Sequence, residues 1–475
     1  MMIKNLSTSR EANLATPSTA ELRALFNGRV IAPDDAGYDQ ARAVFYGGID
    51  RRPAAIVRAA DPGDVSRLVL LARETGMELA VRSGGHSLAG HSVTEGGVVL
   101  DLSSMKALQI DVQNRTAWAE TGLTAGEYTA AVGAYGLATG FGDTGSVGIG
   151  GLTLGGGVGF LVRKYGLTID DLLAAEVVTA DGRLLHVDAE THPDLFWAIR
   201  GGGGNFGVAT RFQFRMHQLE TILGGMLILP ATPQVIASFI AEAEAAPDEL
   251  STIANILPAP PMPLIPAEQH GQLVMFAMLA FAGDVEAGER ALAPFRALAT
   301  PIADMVRPMR YPEIYQLTEG GPRPVEEVAR SMFLDAVDLR AAEAIVDHLR
   351  TSTASLAVAQ LRVLGGAMAR LPAEATAFAH RQRRVMAAIG AVYEHPEETA
   401  MHEAWISAFV KALRQADGDA HPAGVYVNFL GDEGEARVRE AYPGPTWDRL
   451  AAIKARYDPA NLFRLNQNIP PAERG

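Results

Sequence analysis

Residues 140–160 constrain the fold more than any other stretch. They read Gly140-Phe141-Gly142-Asp143-Thr144-Gly145-Ser146-Val147-Gly148-Ile149-Gly150-Gly151-Leu152-Thr153-Leu154-Gly155-Gly156-Gly157-Val158-Gly159-Phe160. Glycine at this density costs too much backbone entropy for a regular helix or strand. Interleaved valine, isoleucine and leucine distinguish the segment from a flexible linker. It must therefore be packed. Either it is a tight crossing between structural elements, or its backbone runs close to a large flat group or to phosphates.

A second glycine turn lies upstream. The apolar run 79–81 ends in Arg82-Ser83-Gly84-Gly85-His86-Ser87 and continues to Ser92. Consecutive amides in such a turn form a concave nest for phosphate oxygens. His86 places an imidazole directly on it. A nucleotide cofactor with a nucleophilic ring beside its phosphates is one reading, and a solvated histidine on an ordinary turn is the other.

The rest of the composition narrows the function classes. The chain has 475 residues, enough for two or three structural units. Its net charge of −14 argues against a nucleic-acid or anionic-membrane partner. No cysteine is present, which excludes disulfides, thiolate zinc sites and thiol nucleophiles. No His/carboxylate cluster has ligand spacing, so no metal is expected. Residues 1–20 are polar, without the apolar core of a signal peptide. No apolar run is long enough for a bilayer. The expectation is a cytoplasmic protein, monomer or homodimer, acting on a small molecule.

Local patterns place the elements. Asp61-Pro62 opens a helix with Val65, Leu68, Val69 and Ala72 on one face, closed by Gly76. Segments 108–111 and 116–120 read as a hairpin, as do 172–179 and 183–187 around Asp181-Gly182. Thr124 and Glu127 form a capping box before a helix reaching Tyr135. Gly202, Gly204 and Gly207 spell GxGxxG, but a helix precedes them and a strand follows, the reverse of a dinucleotide-binding βα turn. After residue 218 glycine thins, and helices at 233–246, 285–298, 339–349 and 397–414 alternate with strands at 273–281, 356–363 and 384–392. The proline-rich stretch 258–266 reads as a loop near the site, the run 380–384 as a solvated strand edge, and 425–429 as a strand. Mixed order with hairpins makes the fold class α+β.

Taken together, these pieces resemble the vanillyl-alcohol oxidase/PCMH-type flavoprotein superfamily, and within it the berberine-bridge-enzyme-like and hydroxynicotine-oxidase-like proteins. The resemblance rests on residues 82–87, 148–159, Lys164-Tyr165-Gly166-Leu167 with Asp170, the run 194–207, Tyr426-Val427-Asn428-Phe429, and 457–463 leading to Asn466-Gln467-Asn468. It implies a two-subdomain FAD-binding domain at 1–218 with its core from about 50. It further implies an α+β substrate domain at 219–424, an antiparallel sheet with helices, and a segment at 425–475 returning to the FAD domain.

The resemblance also implies the site. Arg82, Ser83, Gly84, Gly85, His86 and Ser87 would take the pyrophosphate. Gly142, Thr144, Val147, Gly148, Gly151, Gly156, Gly159, Asp170, Gly207, Val208, Asn466 and Asn468 would complete the FAD site. His86 would bond covalently to the flavin 8α-methyl, noncovalent FAD being the alternative. Many relatives add a cysteinyl link where Thr144 stands, so this chain is limited to one. Val147 occupies a position associated with oxygen access, which implies an oxidase giving H2O2. Tyr165, Tyr426 and Asn428 fall at active-site positions, with a tyrosine as base if a cation such as Lys164 lowers its pKa. Phe429 replaces a second tyrosine of many relatives, pointing to an amine or phenol-activated carbon that needs less proton abstraction. A dehydrogenase using another acceptor and a non-catalytic flavin-binding module are the alternatives.

Overall fold

The computed structural model describes residues 17–26, 29–318, 325–418 and 424–473. Among the described residues three large sheets carry the fold, beside a two-stranded pairing of Leu137–Ala138 with His217–Gln218. The first runs Val30–Ile31, Ala55–Arg58, Val98–Asp101, Leu79–Arg82, with the last three strands parallel. Helix Pro62–Thr75 covers one face. The Asp61 side chain caps it by accepting from the Asp64 amide, and Gly76 ends it at φ 70°. Val65, Leu68, Val69 and Ala72 are fully buried against Val57, Leu79 and Leu100, as the helical spacing requires.

The second sheet is antiparallel, ordered Leu108–Asp111, Thr116–Glu120, Val208–Arg215, Leu172–Val178, Leu184–Asp188. Both expected hairpins are present, and the late strand Val208–Arg215 inserts between them. That insertion brings the glycine turn at 201–207 beside residues 148–159.

The third sheet has eight antiparallel strands. Its long members are Thr221–Pro230, Leu250–Pro258, Leu273–Phe281, Glu326–Leu334, Leu356–Val363 and Val385–Tyr393. Helices Pro233–Ala245, Val285–Ala297, Leu339–Thr351 and Thr399–Asp417 cover one face. The other face packs into the core of the second sheet through Ile253, Met278 and Ala280. Three of these strands carry no sequence expectation above: Thr221–Pro230, Leu250–Pro258 and Glu326–Leu334. They are buried on both faces for most of their length, which removes the alternation that marks a half-exposed strand.

Three expectations are corrected. The glycine-dense segment does contain a helix, Ile149–Leu154, because tertiary contacts override its poor propensity. Residues 425–429 are not a strand but a turn, Val427–Phe429. The Asn428 amide donates to the Tyr426 hydroxyl and the Leu152 carbonyl, a local side-chain bond that competes with ladder formation. The run 380–384 is solvated only at Gln382 and Arg384, and it lies outside the strand. His380 and Arg381 are buried, and the strand begins only at Val385.

Arg381 is fully buried because it pairs with Asp170. Its guanidinium makes two parallel bonds to the carboxylate, at 2.7 and 2.9 Å, and a third to Thr376. The pair ties the third sheet to the glycine-rich region. Arg163 adds bonds to the Leu364 and Ala246 carbonyls. A buried carboxylate deprived of its partner is strongly destabilising, by about 3–5 kcal/mol. Arg381→Met is therefore expected to lose stability on that order in chemical denaturation. The double variant Arg381→Met/Asp170→Leu should recover most of the loss.

Candidate active site

The loop after strand Leu79–Arg82 and the segment before helix Ile149–Leu154 meet backbone to backbone. A Cβ on Gly84 would overlap the Gly148 amide, and one on Gly148 would overlap Ser83 Oγ. Only glycine permits this approach. Ser83 fastens the junction by donating to the Thr121 carbonyl and accepting from the Gly150 amide. Around it the chain is mostly buried, yet Gly84 and Gly151 are exposed, and nothing lies within 4 Å of the position a Gly151 side chain would take. The result is a glycine-floored groove.

His86 stands at its edge, half-buried. The Phe45 ring stacks on it at 4.2 Å, and Ser146 Oγ lies 3.1 Å from Nε2. Burial depresses its pKa to about 4, so the imidazole is neutral near pH 7. Phe45 belongs to no motif, and Ser146 lies within the glycine-dense segment without a role expected of it.

Other expected residues have different roles. Arg82 turns away to pair with Asp101 at 2.9 Å. Ser87 accepts from the His91 amide and closes a turn. Gly159 and Gly207 are close crossings over the Phe141 and Val178 carbonyls, and Val208 is core. Gly85 and Gly156 hold positive φ, with Gly156 against Phe378 and Tyr426. Gly142 is buried beside Leu152, while Thr144 and Val147 are half-buried in the same segment. The Asp170 carboxylate is taken up by Arg381 and the Leu167 amide.

The C-terminal segment folds back against this groove. Leu465 packs with Val44 and Ile49, and Gln467 and Ile469 bond Asn205 in the glycine turn. Lys454 is fully buried and fastens the return. Its ammonium donates to Asp458, at 2.6 Å, and to the Asn205 and Phe463 carbonyls. The i,i+4 spacing of Lys454 and Asp458 was the available sequence signal. Asn466 Oδ1 and Asn468 Oδ1 are buried and have no partner among the described residues. Buried acceptors without donors are costly in a folded chain and ask for a ligand. An open glycine floor, a neutral imidazole and unpaired asparagine oxygens fit a flavin dinucleotide.

Tyr426 and Asn428 are joined by a hydrogen bond. The Tyr426 oxygen accepts from the Gly157 and Val158 amides, at 2.8 and 3.3 Å, and from Asn428 at 2.9 Å. Burial nevertheless raises its pKa, outweighing those donors and the Arg362 charge. Tyr165 is elsewhere. It stacks on His217 at 3.9 Å, and His217 meets Asp171 at 2.8 Å. Lys164 sits over its ring, 5.5 Å from the centroid, and donates to the Ala282 carbonyl. Burial raises the Tyr165 pKa, helped by Asp171 and Glu249. The expected cation-lowered phenol is thus absent at both positions. Arg362, missed in the sequence, lies 4.9 Å from the Phe429 ring and pairs with Asp143 at 2.5 Å.

Comparison with known proteins matches this geometry. The family described as FAD binding domain matches residues 53–188, and that described as Berberine and berberine like matches residues 425–470. The chain is 31% identical to (R)-6-hydroxynicotine oxidase of Paenarthrobacter nicotinovorans, over 97% of this chain and 99% of that protein. It is 33% identical to an uncharacterized FAD-linked oxidoreductase of Bacillus subtilis (strain 168), over 94% of this chain and 98% of that one. The solved structure of 6-hydroxy-D-nicotine oxidase from Arthrobacter nicotinovorans superposes with a TM-score of 0.82 at 28% identity, covering 93% of this chain and 98% of that one. A xylooligosaccharide oxidase of Myceliophthora thermophila shares the fold at a TM-score of 0.80 and 24% identity, covering 94% and 97% of the two chains. The protein is therefore an FAD-linked oxidoreductase. It belongs to the berberine-bridge-enzyme-like family of flavoprotein oxidases, the family of the hydroxynicotine oxidase.

Buried histidines make stability pH-dependent. Burial holds His91 and His380 near a pKa of about 4, with Arg383 adding to the effect at His380. The His380 ring lies against Phe333 and its Nε2 donates to the Glu440 carbonyl. Both folded-state values lie below the ordinary 6.5, so between about pH 4 and 6.5 the unfolded chain binds more protons and stability drops as the pH is lowered. Thermal unfolding should show Tm constant above pH 6.5 and declining toward pH 4, with a shallower decline in His380→Asn.

Proposed function

We propose that this protein is an FAD-dependent oxidase that removes a hydride from a small organic substrate and passes both electrons to O2, releasing H2O2. The substrate carbon is one activated by an amine or phenol, or a simple alcohol. The observation that carries the reading is the neutral His86 imidazole at the rim of a glycine-floored groove. When bound, FAD supplies a two-electron acceptor that O2 regenerates.

Residues 83–87 and 148–151 hold the dinucleotide, with Asn466 and Asn468 accepting from it at their free oxygens. His86 would tether it by a single covalent bond to the 8α-methyl carbon, the ring nitrogen and the methyl group each giving up one hydrogen and the two electrons released passing through the flavin to O2. An unprotonated ring nitrogen is a competent nucleophile near neutral pH. Thr144 and Val147 lie on the segment facing the ring, where Val147 leaves room for O2. On this reading residues 1–218 and 425–475 hold the cofactor, residues 219–424 cover it, and the enzyme works in the cytoplasm. Among the described residues no helix is long and apolar enough to cross a membrane.

Proton removal is the weaker part of the chemistry. Burial keeps the Tyr426 phenol protonated near pH 7, and three donors fix its oxygen in place. Tyr426 and Asn428 therefore position substrate and cofactor rather than abstract a proton. Tyr165 supports the segment through His217. The substrate's own nitrogen or phenolic oxygen then drives hydride departure, consistent with Phe429 in place of a second tyrosine.

Anaerobic reduction by substrate followed by mixing with air tests the oxidase. The expected result is rapid return of the oxidised flavin spectrum with one H2O2 per substrate. Slow return in air, with fast return on an artificial acceptor, would make it a dehydrogenase.

A further inference from the structure

The third sheet turns one face to the cofactor-binding part, and a row of polar side chains crosses that face. Strands Leu250–Pro258 and Leu356–Val363 pair so that Ile253 faces Arg362 and Asn255 faces Gln360. Their alternate residues, Ala254, Ile256, Ala359 and Leu361, pack under the covering helices. Asn255, Gln360 and Arg362 therefore share the opposite face. Phe276, paired with Asn255, lies there too, packed with Met262 of the proline-rich loop.

The hydrogen-bond direction along this row is determined. A guanidinium only donates. Arg362 gives Nε and Nη2 to Gln360 Oε1, at 2.9 and 2.7 Å, which fixes the Gln360 amide orientation. Gln360 Nε2 then donates to Asn255 Oδ1 at 2.7 Å. The Asn255 amide nitrogen is left free to donate. Arg362 Nη1 is also without a partner, on a side chain only 5% exposed. Asp143 already matches the Arg362 charge through Nη2. Arg362 stacks over Phe429, which follows Asn428 in the same turn, so the row ends beside the Tyr426–Asn428 pair.

Resting on the oxidase reading above, we infer that Arg362 and Asn255 recognise the substrate by donating to one of its oxygens. The ligand class is an aromatic compound bearing a phenolate or ring-carbonyl oxygen. The groups that Arg362 and Asn255 hold out are donors, which an oxygen accepts and a cationic group does not. The flanking rings of Phe276 and Phe429 suit an aromatic body. Arg362 and Asn255 set specificity; the bond that is broken lies at the other end of the substrate.

Equilibrium dialysis of the flavin-loaded protein tests this, with ionised 4-nitrophenol and benzylammonium as probes. Wild type should bind 4-nitrophenolate at least about tenfold more tightly than benzylammonium. Arg362→Met should weaken 4-nitrophenolate by about tenfold to a hundredfold, the worth of a charge-assisted hydrogen bond, and leave benzylammonium unchanged. Asn255→Leu should weaken it by about fivefold, and Arg362→Lys should restore part of the loss. Should Arg362→Met fail to fold, Asn255→Leu and Arg362→Lys decide. Equal affinity for the two probes in wild type, or a preference untouched by these variants, overturns the inference. Flavin absorbance of the same samples separates the two levels. Wild type without flavin defeats the oxidase reading, whereas flavin without the preference defeats only this assignment.

Discussion

The structure depends on one contact between two glycines. Gly84 and Gly148 approach so closely that neither accepts a side chain. This crossing joins the parallel sheet to the antiparallel one and leaves the exposed glycine floor between them. Its glycines surrender conformational freedom on folding, which destabilises the segment in isolation. Tertiary contacts offset that cost: the Ser83 bonds, the buried Ile149–Leu154 helix and the returning C-terminal segment. A ligand filling the groove adds to the same side by mass action.

Buried ion pairs then set where the other parts sit. Arg381–Asp170 and Arg362–Asp143 each reach from the third sheet to the glycine-rich region, and Lys454–Asp458 fastens the last turn of chain. Apolar contacts alone would hold these surfaces together without fixing their angle. Directional bonds between desolvated charges tolerate few arrangements. Their service is therefore positioning: they place Tyr426, Asn428 and Phe429 over the glycine segment.

The sequence shows the first two sheets more clearly than the third. Asp61, Gly76, Thr124 and Asp181-Gly182 punctuate local structure, and each marks the element it should. The loop 82–87 and the segment 140–160 mark a groove because glycine packed at that density serves close approach of backbone to a neighbour. The large sheet is harder to read. Glu326–Leu334 and Thr221–Pro230 are buried on both faces over much of their length and lose the period-two signal. The positively charged run at 380–384 looks solvated because its partner, Asp170, is more than two hundred residues away in sequence. Arg362 and Asn255 belong to no motif, and only the strand register brings them onto one face. Tyr165 shows the opposite failing: a motif position suggests chemistry, while the fold stacks the ring on His217.

The central claim is that His86 alone tethers FAD in this groove. Acid precipitation followed by mass spectrometry of the denatured chain tests it most directly, in wild type and His86→Ala. The account predicts a yellow wild-type pellet whose mass exceeds that of the 475-residue chain by one FAD less two hydrogens. His86→Ala should give a colourless pellet of unmodified mass. Wild type that releases all of its FAD into the acid supernatant would contradict the claim.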